Sequence, residues 1–145
     1  MAIYSVANLT TGVATATPTQ EIIAGSNLGY RMLEFGLSLV AATASTFALG
    51  RPAATGVTPT SPVTVLAEDG GNTAAGNTTT ALAWGTAPTV PSAFFRRVTF
   101  PATVGAGIIW TFPRGLIVLK TLSTVLWNPS GGSNSAAATW VVVDE

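Results

Sequence analysis

The chain has no cysteine and no histidine. The first absence removes disulfides from any account of its stability. Together the two remove the commonest metal ligands and the commonest general base. A Ser-His-Asp or Cys-His device is excluded outright, and a cupin-type metal site has no ligands. Charge is scarce as well. Only 8% of the 145 residues are charged, and the six cations and six acids cancel, where soluble domains carry about 25%. A surface so poor in charge favours association over solvation, so extensive protein contact is expected. Long apolar runs are also missing: Thr, Ser, Gly or Arg interrupts each stretch well short of the ~20 residues of a spanning helix. The opening Met1-Ala2-Ile3-Tyr4-Ser5 has neither the basic region nor the apolar centre of a signal peptide. Synthesis in a cytoplasm without the usual export is therefore expected, with no membrane partner. Without such a signal, the acceptor patterns Asn8-Leu9-Thr10 and Asn77-Thr78-Thr79 carry no glycosylation reading.

What is present reads as strands. Nine prolines from Pro18 to Pro129 cut the chain into short pieces rich in Val, Ile, Thr, Phe and Trp, and no amphipathic stretch of helical period spans them. Residues 30–42 alternate, with Leu33, Phe35, Leu37 and Leu39 on one face and Met32, Glu34, Gly36 and Ser38 on the other. Further strands are expected over 46–51, 63–66, 81–84 and 97–100, with Pro101 marking an edge or a strand end. The last third, 108–112, 116–119, 124–128 and 139–144, is apolar on both faces. With no crossover helices to cover it, one face is expected against the other sheet and the second against another subunit. Residues 68–80 and 129–138 read as loops. The fold class expected is all-β: an antiparallel β-sandwich, a jelly roll, over residues 30–145. Residues 1–29 are expected as an extended N-terminal arm, with a strand over 19–24 favoured narrowly over a short helix capped at Thr17-Pro18-Thr19-Gln20.

Chemistry is harder to find. A Ser-Lys dyad would need Lys120, whose neighbours Leu119 and Thr121 form no nucleophile turn. A glycosidase needs two positioned carboxylates. Glu21, Glu34, Glu68 and Asp69 are the candidates, Asp144 and Glu145 being terminal, and nothing pairs them. Glu68-Asp69-Gly70-Gly71-Asn72 lacks the spacing of an EF-hand and reads as a solvated turn. Gly105-Ala106-Gly107 lacks the third glycine of a dinucleotide fingerprint and opens a strand. Arg96 and Arg97 are adjacent, so they face opposite ways in a strand, while Arg31, Arg51 and Arg114 are dispersed. With zero net charge this is a poor nucleic-acid footprint. The expectation is no enzyme activity, no catalytic residue, no cofactor, no metal and no nucleic-acid partner. The four tryptophans read as core or interface anchors ahead of a sugar platform.

The segments Leu82-Ala83-Trp84-Gly85-Thr86-Ala87-Pro88, Phe94-Phe95-Arg96-Arg97, Gly107-Ile108-Ile109-Trp110-Thr111-Phe112-Pro113-Arg114-Gly115-Leu116 and Val125-Leu126-Trp127-Asn128 resemble small virion-associated proteins of tailed phages and prophages. The resemblance covers residues 30–145, and the architecture is similar to the jelly-roll decoration, or cement, proteins of phage heads. It implies a homotrimer on the outer surface of the head that staples the major capsid protein, with the arm suited to lattice contact. It carries no site residues. A lectin-like binding module of a tail or fibre, or a structural tail or neck component, is the alternative.

Overall fold

The computed structural model describes residues 2–72, 74–129 and 131–145. It contains twelve strands and, among the described residues, no helix: β1 (Ile3–Leu9), β2 (Pro18–Ile23), β3 (Tyr30–Leu39), β4 (Ser45–Gly50), β5 (Val57–Pro59), β6 (Val63–Ala67), β7 (Ala75–Ala81), β8 (Trp84–Thr86), β9 (Phe94–Phe100), β10 (Gly107–Val118), β11 (Ser123–Trp127) and β12 (Ala137–Asp144). Ten of them form one antiparallel sheet in the order β10-β3-β12-β1-β6-β7-β2-β11-β4-β9, and β5 pairs with β8 separately. The sheet curls until its edges meet. The Arg96 guanidinium of β9 lies 5.1 Å over the Phe112 ring of β10, and Arg51, just past β4, donates to the Ile117 carbonyl of β10 at 3.0 Å. The expected all-β antiparallel class is what the protein has, as a jelly-roll-like, nearly closed sheet.

Alternation builds the core. Tyr30, Met32, Phe35, Leu37 and Leu39 of β3 face Ile22, Phe47, Leu49 and Leu126 across the interior, all nearly or fully buried. Several polar groups that enter it are hydrogen-bonded, although Gln20 Nε2 and Thr19 Oγ1 are buried without a partner among the described residues. Tyr30 Oη donates to the Ile22 carbonyl at 3.0 Å and lies 2.8 Å from Thr124 Oγ1. Thr139 Oγ1 donates to Gln20 Oε1 at 2.7 Å. These bonds tie the β3–β12 side to the β2–β11 side.

Three expectations are corrected. First, β3 does not alternate without interruption. Val142 of β12 pairs with Glu34 and Val143 with Met32, so Leu33 is an extra residue in a bulge. A bulge shifts the phase by one, which turns Met32 inward and leaves Leu33 half-buried outside. Second, residues 3–23 are not an arm. β1 pairs with β12 over seven positions and with β6, and β2 lies between β7 and β11. Tyr4, Val6 and Ile22 belong to the core. The chain folds this segment inward because the sheet would otherwise expose the long edges of β12 and β11. Third, residues 75–80 of the expected 68–80 loop belong to β7, which lies between β6 and β2. Their Gly, Asn and Thr content hid a strand that tertiary pairing stabilises.

The two-sided apolar character of β11 also has a different cover. Every residue of β11 is buried. Val125 pairs with Glu21 and therefore shares its face. Glu21 meets Gly56 and Trp84 of the β5–β8 flap. The second cover of β11 is the chain's own flap, not another subunit.

Candidate functional site

Five of the six acidic residues are tied up in the fold, Glu68 being the exception among the described residues. Glu21 is fully buried. Its carboxylate accepts from Gly56 N at 3.1 and 3.2 Å, from Trp84 Nε1 at 2.7 Å and from Ser123 Oγ. Four donor contacts on one carboxylate satisfy its lone pairs with neutral partners and latch the flap over β2 and β11. Glu34 accepts from Trp140 Nε1 at 2.7 Å. Glu145 accepts from the backbone N–H groups of Asn77 and Thr78, each at 2.6 Å, and Asp144 pairs with Arg31 at 3.1 Å. Asp69 accepts from Gly71 N at 2.9 Å within the β6–β7 turn, beside exposed Glu68. Among the described residues no group of three metal-ligating side chains occurs. Lys120 lies exposed in the turn after β10, and Gly105, at φ +83°, turns the chain into β10.

The feature that stands out is a surface. On the outward face of β1, β12, β3 and β10 the register sets Ala7, Trp140, Gly36 and Ile109 in one row and Ile3, Asp144, Arg31 and Ile117 in another. Ile3, Leu9, Ile109 and Ile117 are 46%, 64%, 53% and 63% exposed, with Leu66 of neighbouring β6 at 66% and Leu119 at 65%. Glu34, bonded to Trp140, and the Arg31–Asp144 pair are the charges on it. Gly36 is required here, because a Cβ at that position would lie 2.0 Å from the Trp140 ring. The indole therefore lies flat across β3. Beside it is a shallow depression of about 480 Å³ lined by Leu37, Ser38, Gly107, Ile109 and Trp140.

The tryptophans are anchors in the fold. Trp110 and Trp127 are each 6% exposed, Trp84 is bonded to Glu21 and Trp140 to Glu34. The exposed aliphatics Ile3 and Leu9, large apolar residues of the segment expected as an arm, lie on the outward face of β1. Period two in Ile3, Ser5, Ala7 and Leu9 against Tyr4 and Val6 is the signal of that face. The arginines, dispersed in sequence, gather by folding: Arg51 lies 5.5 Å from the Phe95 ring centroid, Arg97 5.4 Å from that of Phe94, and Arg96 reaches Phe112 across the seam.

Compared with known protein families, with curated proteins and with solved structures, the chain matches none of them.

Proposed function

We propose that this chain is a non-enzymatic structural protein that assembles with copies of itself and with a larger particle. The decoration of a phage head, by a homotrimer bound to the major capsid protein on the outer surface of the virion, is the form this reading takes. The observation that carries it is the outward face of β1, β12, β3 and β10, with its exposed aliphatics and few charges. Isolated exposed aliphatics are ordinary, but a contiguous apolar patch marks a contact surface. Fully burying one such side chain contributes about 1.5–3 kcal/mol. Six that are half to two-thirds exposed supply on the order of 5–10 kcal/mol per copy, against about 4–15 kcal/mol for association. The balance turns favourable when both copies bury their faces or when many copies engage a lattice at once. The bonded, largely buried tryptophans favour this reading over a sugar-binding platform.

The test is sedimentation velocity of the purified chain at micromolar concentration, with Ile109→Lys and Ile117→Lys beside it, followed by co-sedimentation with undecorated heads. Oligomers that both lysine variants weaken, and binding to heads, are expected. A wild-type chain that stays monomeric and ignores heads overturns the reading.

A further inference from the structure

The six cations and six acids cancel in number but not in space. Arg96 and Arg97 lie on β9, Arg114 lies on β10, Arg51 follows β4, and Lys120 follows β10. Five of the six cations thus border the seam where the two sheet edges meet, and no acid lies on β9 or β10. Arg31, on β3, has its ion pair with Asp144. Among the described residues no ion pair is formed by any seam cation.

Three of the seam guanidiniums are held at 5.1–5.5 Å over phenylalanine rings. Stacking orients the planar group and leaves N–H donors along its edge for a carboxylate. Less side-chain freedom is then lost when a carboxylate arrives. Arg96 is in phase with the core-facing Val98 and Phe100, and Arg97 is in the opposite phase, so the seam presents cations on both sides of β9.

The complementary group lies across the molecule. In the ten-strand order β6 and β7 are fifth and sixth, while β9 and β10 are the ends that meet. The β6–β7 turn is therefore on the far side of the curled sheet. It carries Glu68 and Asp69, both exposed, and the Glu68 carboxylate has no hydrogen bond or ion pair among the described residues.

We infer that the β9–β10 seam of one copy docks the Glu68–Asp69 turn of the next, a head-to-tail contact between copies of this chain. The inference rests on the reading that the chain assembles with itself, but it uses a different surface from the apolar face. A contact between opposite sides of identical subunits is heterologous, so it closes into a ring or continues as an array. Opposed charges steer encounter and fix register, and their attraction is screened by salt.

The test is sedimentation velocity of the full chain at about 0.02 M and about 0.5 M salt, a range over which the screening length falls several-fold. Four proteins are compared: wild type, Arg96→Glu/Arg97→Glu, Glu68→Lys/Asp69→Lys, and the chain carrying all four changes. The apparent dissociation constant at low salt is expected to rise about tenfold or more in each double variant. With all four changes it should return to within about threefold of wild type, because the charges are exchanged. Arg96 also closes the seam over Phe112, so Arg97→Gln is measured beside it and each variant is checked by melting. Failure of the four-change chain to recover, or double variants that associate like wild type, overturns the inference. Heparin binding that depends on Arg96 and Arg97, with association unchanged, overturns it in favour of a polyanionic partner. If Ile109→Lys alone dissociates the oligomer, this contact falls and the apolar face stands. If the charge variants act and Ile109→Lys does not, the apolar face falls instead. A wild-type monomer at both salt concentrations removes this contact, and it removes the apolar face as well if the chain also ignores heads.

Discussion

Tyr30 shows how one side chain can set the alkaline limit of the fold. Its ring is buried, its hydroxyl bonds the Ile22 carbonyl and Thr124, and burial pushes its pKa well above the ordinary phenol value. The unfolded chain releases this proton near pH ~10 while the folded one holds it. The folded state then binds more protons, so stability present below that pH is lost as pH rises above it. Alkaline titration should show Tyr30 ionising only as the chain unfolds, read as phenolate absorbance against circular dichroism. Tyr30→Phe should remove the coupling while leaving Thr124 and Ile22 short of a partner, at about 1–2 kcal/mol. Trp110 and Trp127 are buried in different places. Trp110 packs in the main core, its ring 6.1 Å from Phe35. Trp127 pairs with Ala48, on the flap-facing side of β11. Replacing either with Ala should cost about 3–5 kcal/mol by denaturant melting. A change below about 1 kcal/mol would mean that the site is solvated in solution.

β1 is a strand of the sheet where the sequence suggests an arm. Its seven pairs with β12, its link to β6 and its core residues Tyr4 and Val6 make it an interior strand. Deleting residues 1–18 removes it together with the first residue of β2. Expected is a chain without a cooperative melt, followed by circular dichroism and native-state hydrogen exchange. A truncated chain that melts cooperatively near the wild-type temperature would show that the sheet closes without β1. β10 follows a local rule. Its pairing with β3 jumps from Thr111–Glu34 to Leu116–Met32, with Pro113 and positive-φ Gly115 in the extra residues. Proline lacks the donor for a ladder, and glycine accepts the turn, so the irregularity was readable in Pro113-Arg114-Gly115. The bulge at Leu33 was not. Nothing local marks it, and the register of β12 imposes it.

For the whole molecule, association and stability are linked. If the folded chain assembles, mass action raises the melting temperature with protein concentration. A rise of several degrees between micromolar and hundred-micromolar chain is expected by scanning calorimetry, and an unchanged temperature would mark an independent monomer. Chelator should leave the melt unchanged, since no described group of three metal-ligating side chains exists. A large drop would reveal a cation site built from oxygens.

The spacing of prolines among β-forming residues indicated the all-β class, and the absence of histidine and cysteine removed the catalytic devices that use either residue. Those are properties of residue type, and chemistry reads them without coordinates. Period two placed Phe35, Leu37 and Leu39 in the core, because alternation in a strand is local. Folding alone decided the rest. Pairing between residues more than a hundred apart took Ile3–Leu9 into the sheet beside β12. The curl of the sheet brought Arg51, Arg96, Arg97 and Arg114 to one seam. The β5–β8 flap, held by buried Glu21, covered β11 from within the same chain. Each of these depends on which strands lie side by side, and strand order is set by the burial of all the apolar faces together, which no single segment encodes.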